Sequence, residues 1–127
     1  MNNITKKFIQ YGAVMMALTV ALGAFGAHAL KDMLDENMIK VYNTGVEYQF
    51  YHALGLFVVA FIAHINENKV IQTAGYVMIG SVVIFSGSLY LLAITGVKWL
   101  GIITPMGGTG FIAAWILVFA SLNESKN

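Results

Sequence analysis

An all-α fold, an integral membrane bundle of four antiparallel helices, is predicted by three observations. The 127-residue chain is 58% hydrophobic and only 10% charged, with a mean hydropathy of +0.74, whereas an ordinary soluble domain carries about 25% charged residues. The charges stand between long apolar runs instead of being spread over the chain. Those runs do not alternate as membrane barrel strands do: Ala113, Ala114, Trp115, Ile116, Leu117, Val118, Phe119 and Ala120 follow one another directly. Seven Lys and six Asp or Glu cannot cover a soluble domain. The composition therefore excludes disordered, collagen-like and disulfide-rich classes, and predicts a single domain solvated by lipid. A net charge of +1 gives no basis for nucleic-acid binding. The absence of Cys removes disulfides, thiolate catalysis and Cys-ligated metal.

Each charge costs about 2.5 to 3.5 kcal/mol at a bilayer centre, so charges delimit the spans. Uncharged stretches lie between Lys7 and Lys31, Glu47 and Glu67, Lys69 and Lys98, and Lys98 and Glu124, each close to or above the roughly 20 residues a membrane helix needs. Spans are expected near 8–30, 48–65, 71–95 and 100–122. The first begins like a secretory signal, with Lys6-Lys7 before an apolar run and Ala27-His28-Ala29 after it. The run exceeds the usual 7 to 15 residues, which favours an intact helix. Between the first two spans, Asp35-Glu36 followed by Met38, Ile39, Val41 and Tyr42 has the pattern of a short interfacial amphipathic helix over 35–44, which can run into the second span. The connections near Asn66–Val70 and Gly96–Trp99 are short, so sequential helices should be antiparallel neighbours. Lys6, Lys7, Lys69 and Lys126 share one side against Lys31, Lys40 and Lys98 on the other. That small bias favours a plasma-membrane protein with both termini cytoplasmic.

Membrane helices associate through close packing of small residues. The first span has two such ridges, Gly12, Met16, Thr19, Gly23, Gly26 and Ala13, Ala17, Ala21, Ala24, His28. An outward ridge would allow homo-oligomers. In the third span Gly80 and Gly87 repeat every seven residues beside Ser81, Ser88 and Thr95. In the fourth, Gly107, Ala114 and Ser121 do the same. A seven-residue repeat predicts left-handed, near-antiparallel seams.

An up-down bundle gathers the unusual polar residues on one membrane side. They are His28, Glu47, Tyr48, Gln49, His52, Ser86, Ser88, Tyr90, Thr104, Pro105, Gly107 and Gly108. Ionisable groups within a span face protein or water and find partners, so this cluster is the candidate site. For His28 and His52 the plainer reading is a neutral imidazole bonded between helices. No two histidines stand at i, i+3 or i, i+4 on one helix, so neither a metal site nor a cofactor is expected. Glu47 reads as an interfacial carboxylate that pairs with Lys40 or caps its helix, or else as the partner of a histidine base. Gln49 reads as a link between helices, and His64, beside Asn66 and Glu67, as solvated. Thr104-Pro105-Met106-Gly107-Gly108 reads as a helix start followed by tight packing, whose free N–H groups suit an anion such as a lipid phosphate. Tyr48, Tyr51, Tyr90 and Trp99 suit an aromatic belt, with Lys98 snorkelling nearby.

Three function classes remain open. One is a non-enzymatic protein binding a lipid headgroup or protein partner on the outer side, the reading preferred here. The others are an intramembrane lipid-modifying enzyme with a His/Glu acid-base pair, and an oligomeric carrier of small solutes or protons. The catalytic residues of any enzyme are not identifiable from the residue pattern.

Five segments carry a family resemblance: Gly23-Ala24-Phe25-Gly26-Ala27-His28, Tyr48-Gln49 with His52, Phe85-Ser86-Gly87-Ser88-Leu89-Tyr90, Ile103-Thr104-Pro105, and Gly107-Gly108. In this order they resemble the small bacterial membrane proteins of the domain of unknown function 423 family, also grouped as uncharacterised protein family 0382 and similar to transmembrane protein 256 of eukaryotes. The resemblance covers nearly the whole chain. It implies a multi-pass cell-membrane protein with an intact first helix, and it implies no activity.

Overall fold

Four helices follow from the apolar runs and, for the first three, from side-chain caps at their starts. In a computed structural model, residues 1–126 are described. Helix α1 spans Asn3–Phe25, where the Asn2 side chain accepts the Thr5 N–H at 2.7 Å, and it continues as a π-helical turn over Gly26–Leu30. Helix α2 spans Glu36–Ile65, with the Asp35 side chain accepting the Met38 N–H at 2.8 Å. Helix α3 spans Lys69–Thr95, capped by Asn68, which accepts from the Ile71 N–H at 3.0 Å. It stops at Gly96, whose φ of 73° is a left-handed conformation that favours glycine. Helix α4 spans Leu100–Ser121. All four are long and apolar enough to cross a membrane.

The helix expected over 35–44 runs on into the second span and forms the first turns of α2. Asp35 caps it, and Tyr42 within it is buried with Leu30 and Ala93. The 30-residue α2 is about 45 Å long at 1.5 Å per residue. Glu47 to His52 therefore lie in its middle, not at its start. The π turn has a local cause. The Tyr42 ring occupies the space that a Cβ on Gly26 would need, and its hydroxyl donates to the Leu22 carbonyl at 2.5 Å. A side chain bonding into the i to i−4 ladder widens a helix locally.

Sequential helices are the main packing partners: α1 on α2, α2 on α3, and α3 on α4. α2 and α3 form the interior, while α1 and α4 flank it. α1 reaches α3 where Phe8 covers Gly75 and meets Tyr76 with ring centroids 5.2 Å apart. Two apolar clusters result. The larger, at the end holding the termini, includes Phe8, Leu56, Val59, Ile71, Met78 and Ala114. The smaller is Leu30, Tyr42 and Ala93. Asparagines tie the first end together: Asn2 donates to the Ala63 carbonyl at 3.0 Å, Asn66 to Glu124 at 3.0 Å, and buried Asn68 to Asn66 at 3.0 Å and Ser121 at 3.2 Å.

The small-residue ridges divide. Gly12 packs on Phe57 and the Ala53 carbonyl, and Gly26 on Tyr42, so the first ridge of α1 faces the bundle. Ala13, Ala17, Ala21, Ala24 and His28 all face outward. In α4, Gly107, Ala114 and Ser121 are buried, and this heptad is a true seam. The α3 heptad is not: a Cβ on Gly80 or Gly87 would meet nothing within 4 Å. Ser81 and Ser88 are the buried members of that helix instead.

The contrast gives a direct test. A Cβ on Gly107 would lie 2.6 Å from the Phe85 backbone nitrogen, so Gly107→Ala should destabilise the bundle by about 1–3 kcal/mol through overpacking. Gly80→Ala should be neutral or stabilising by up to about 1 kcal/mol. Unfolding of both variants in detergent titrations measures the difference. Asn68→Ala removes a helix cap and leaves a buried carbonyl short of a donor, and should cost about 1–3 kcal/mol in the same assay.

Candidate functional site

The polar residues form a layer between the two apolar clusters, deeper than the sequence pattern implies. α2 brings Gln49 and His52 to the layer, α3 brings Ser86, Ser88 and Tyr90, and α4 brings Thr104. Gln49 and His52 are each only 5% exposed. Most hydroxyls resolve their bonding locally or across one helix pair, whereas the buried Thr5 hydroxyl has no partner. Thr19, Thr44, Thr73, Ser81, Thr95 and Thr109 donate to carbonyls four residues earlier. Ser86 instead crosses to the Gly45 carbonyl at 2.7 Å. Glycine at 45 admits this approach, because the Tyr90 ring and Leu89 lie against it. Ser88 and Thr104 share a hydrogen bond of 2.7 Å between α3 and α4.

The layer splits into two halves on opposite sides of the α2–α3 pair. In one half, Tyr90 donates its hydroxyl to Gln49 Oε1 at 2.7 Å, and Gln49 Nε2 donates to the Met15 carbonyl at 3.3 Å. Tyr90 is thus an internal hydrogen-bonding residue and not part of an interfacial belt. In the other half, His52 accepts from Trp115 Nε1 on its Nε2 at 3.0 Å, and its Nδ1 lies 2.7 Å from the Tyr48 carbonyl. An indole N–H can only donate and a carbonyl can only accept, which defines the tautomer with hydrogen on Nδ1. The His52 ring stacks on Phe111, with centroids 3.7 Å apart and planes 9° apart, and the Tyr48 ring adds a third plane at 16° to His52. Phe111 and Trp115 carry no polar pattern in the sequence. Aromatic residues at i and i+4 on α4, one helix away from a histidine, were the available signal.

Two clefts open from these halves. One, of about 850 Å³, lies between α2 and α4 over Phe85 of α3, and is lined by Tyr48, His52, Pro105, Gly108 and Trp115 among others. The other, of about 550 Å³, lies between α1 and α3 over Gln49 of α2.

Several expected site residues do not join the layer. His28 is exposed on the π turn. Glu47 is exposed and, lying mid-helix, cannot cap α2. Both ring nitrogens of His52 are engaged by other groups. Pro105 lies inside α4, so Thr104 to Gly108 do not present a free helix N-terminus. The N–H groups of Leu100, Gly101 and Ile102 at the true start bond to Val97, Lys98 and Trp99 at 3.2, 3.1 and 3.0 Å. Trp99, at the start of α4, remains exposed as a belt requires, whereas Tyr51 is exposed in the middle of α2, too deep for an interfacial belt. Among the described residues no group of three His, Cys, Asp or Glu converges as a metal site.

Four apolar helices long enough to span a bilayer, sealed by internal hydrogen bonds, define a multi-pass α-helical membrane protein. The profile of the family described as "Protein of unknown function (DUF423)" matches residues 22–108, and the chain belongs to that family. It is 49% identical over 114 residues to the UPF0382 membrane protein YwdK of Bacillus subtilis, covering 89% of this chain and 93% of that one. UPF0382 membrane proteins of Staphylococcus haemolyticus and Staphylococcus epidermidis are 43% and 44% identical, over 91% and 92% of this chain and 94% and 96% of theirs. No solved structure matches the chain.

The His52 geometry is measurable. Nitrogen-15 NMR of histidine-labelled protein should show the Nδ1–H tautomer for His52, and Trp115→Phe should shift the Nε2 resonance by removing its donor.

Proposed function

We propose that this membrane protein binds a lipid in the cleft between α2 and α4, with no chemical step. The observation that carries the reading is the pairing of an open, aromatic-lined cleft with a histidine whose two nitrogens are both occupied. A general base needs a nitrogen within reach of a substrate proton, and His52 offers none while Trp115 and Tyr48 hold it. Concave sites with mostly apolar walls and a few polar groups are the usual form of small-molecule pockets. Tyr48, 37% exposed, and Thr109 supply hydroxyls at one end of this cleft. Ile112, Ile116 and Phe119 supply an apolar track toward the other. The same residues suit a lipid acyl chain that follows α4, with the polar end of the lipid directed past Pro105 toward the near membrane face. The reading includes the cell membrane as location, with both termini cytoplasmic by the lysine bias.

A cleft-filling substitution tests it. A Cβ on Gly108 meets only Phe85 ring carbons at 3.9 Å, so Gly108→Leu should fold and project its side chain into the cleft. Native mass spectra of protein from mild detergent should show a retained lipid on the wild type and at least a tenfold lower adduct fraction on Gly108→Leu. Equal adducts on both proteins would refute the reading.

A further inference from the structure

The groove between α1 and α3 lies on the opposite side of the bundle from the cleft just described, and its chemistry differs. Its walls are apolar side chains such as Val14, Leu18 and Val83, with Tyr11 and Tyr76 toward one end and Tyr90 toward the other. Fourteen residues of α3 separate Tyr76 from Tyr90, which makes the groove about 21 Å long at 1.5 Å per residue. Its floor holds a buried amide, Gln49. The Met15 carbonyl can only accept, so the Gln49 atom facing it is Nε2, and Oε1 receives the Tyr90 hydroxyl.

That amide is underused. Nε2 has two hydrogens, and the one bond it makes is long, 3.3 Å, to a carbonyl that also takes the Thr19 hydroxyl at 2.7 Å. The second N–H has no protein acceptor. In hydrocarbon, an amide hydrogen without an acceptor costs several kcal/mol. The depth of this donor selects the acceptor. Gly45 lies against Tyr90 and Gly55 against Met78, so Gln49, between them on α2, is level with the middle of the groove. Phospholipid ester carbonyls remain at the interface and do not reach this level. The walls of this groove are apolar, so a charged acceptor within it would carry a large desolvation cost.

We propose that the α1–α3 groove binds a neutral lipid whose hydrogen-bond acceptor is a ring carbonyl inside the hydrocarbon layer, the chemical class of tailed quinones. The ring lies over Gln49 with its carbonyl accepting from Nε2, and the hydrocarbon tail runs along the apolar walls of the groove. The site is separate from the α2–α4 cleft, and no electron transfer is required of it.

The test uses the full chain in nanodiscs of saturated phosphatidylglycerol. The probe is a naphthoquinone with a short prenyl tail, compared with the same tail on plain naphthalene. Saturable binding of one quinone per chain is expected, with the naphthalene analogue about tenfold weaker for loss of the hydrogen bond in a dry site. Gly87 lines the groove and a Cβ there meets nothing within 4 Å, so Gly87→Leu should fold and lower quinone affinity at least tenfold. Gln49→Leu should remove the preference for the carbonyl. Gly80→Leu, equally open but outside the groove, should bind as the wild type does. Equal binding of quinone and naphthalene analogues, or wild-type binding by Gly87→Leu, would overturn the proposal. So would loss of quinone on Gly108→Leu with retention on Gly87→Leu, which would assign the ring to the other cleft. Loss of phospholipid adducts on Gly108→Leu with unchanged quinone binding would support both sites independently.

Discussion

Hydrocarbon supplies no hydrogen-bond partners, so every polar group that enters the bilayer must be satisfied by the protein itself. Helices meet this demand for the backbone. Most polar side chains meet it in one of two ways, which shape the bundle differently. Most threonines, with Ser81, bond back to their own helix and leave packing untouched. Ser86, Ser88, Tyr42, Tyr90, Gln49 and His52 bond instead, in whole or in part, to a neighbouring helix. Each crossing bond requires a close approach, and the glycines stand where those approaches occur. Gly45 lets Ser86 and Tyr90 reach α2, and Gly26 lets Tyr42 reach α1.

The arrangement of the four helices follows from these contacts. α2 and α3 hold the polar layer between two apolar clusters, and α1 and α4 are bound mainly to one interior helix each. A bundle built this way leaves two openings. One exposes the floor of α2 and the other the floor of α3, so Gln49 and Phe85 each become the base of a cleft. The same divided polar layer therefore holds the helices together and gives the two clefts different chemical characters. One is a stack of aromatic rings around a saturated imidazole. The other is an apolar slot with an amide donor.

The extent to which this was legible in the residue order varies by element. The spans, the Asp35 cap and the α4 heptad of Gly107, Ala114 and Ser121 follow from hydropathy, capping chemistry and periodicity, which are local properties. Gln49 as a link between helices follows from the cost of an amide in lipid. The Gly80 and Gly87 repeat was misleading, because periodicity marks a face without saying whether a neighbour lies on it. Glu47 and His52, five residues apart, looked like candidates for a shared site. The carboxylate points outward while the imidazole is taken up by Trp115.

Composition and charge spacing by themselves determined that this chain is a four-span helical membrane protein, because the free energy of moving charge and backbone into lipid depends on residue type and run length alone. Tertiary structure decided which polar residues meet. It joined Trp115 to His52 across 63 positions and Tyr90 to Gln49 across 41. It also drew Asn2, Asn66 and Asn68 into contacts with α2 and with the end of α4 and the residues after it. Rotation and depth of each helix set these pairs. Both depend on the sum of contacts over whole helix faces, which no local pattern encodes.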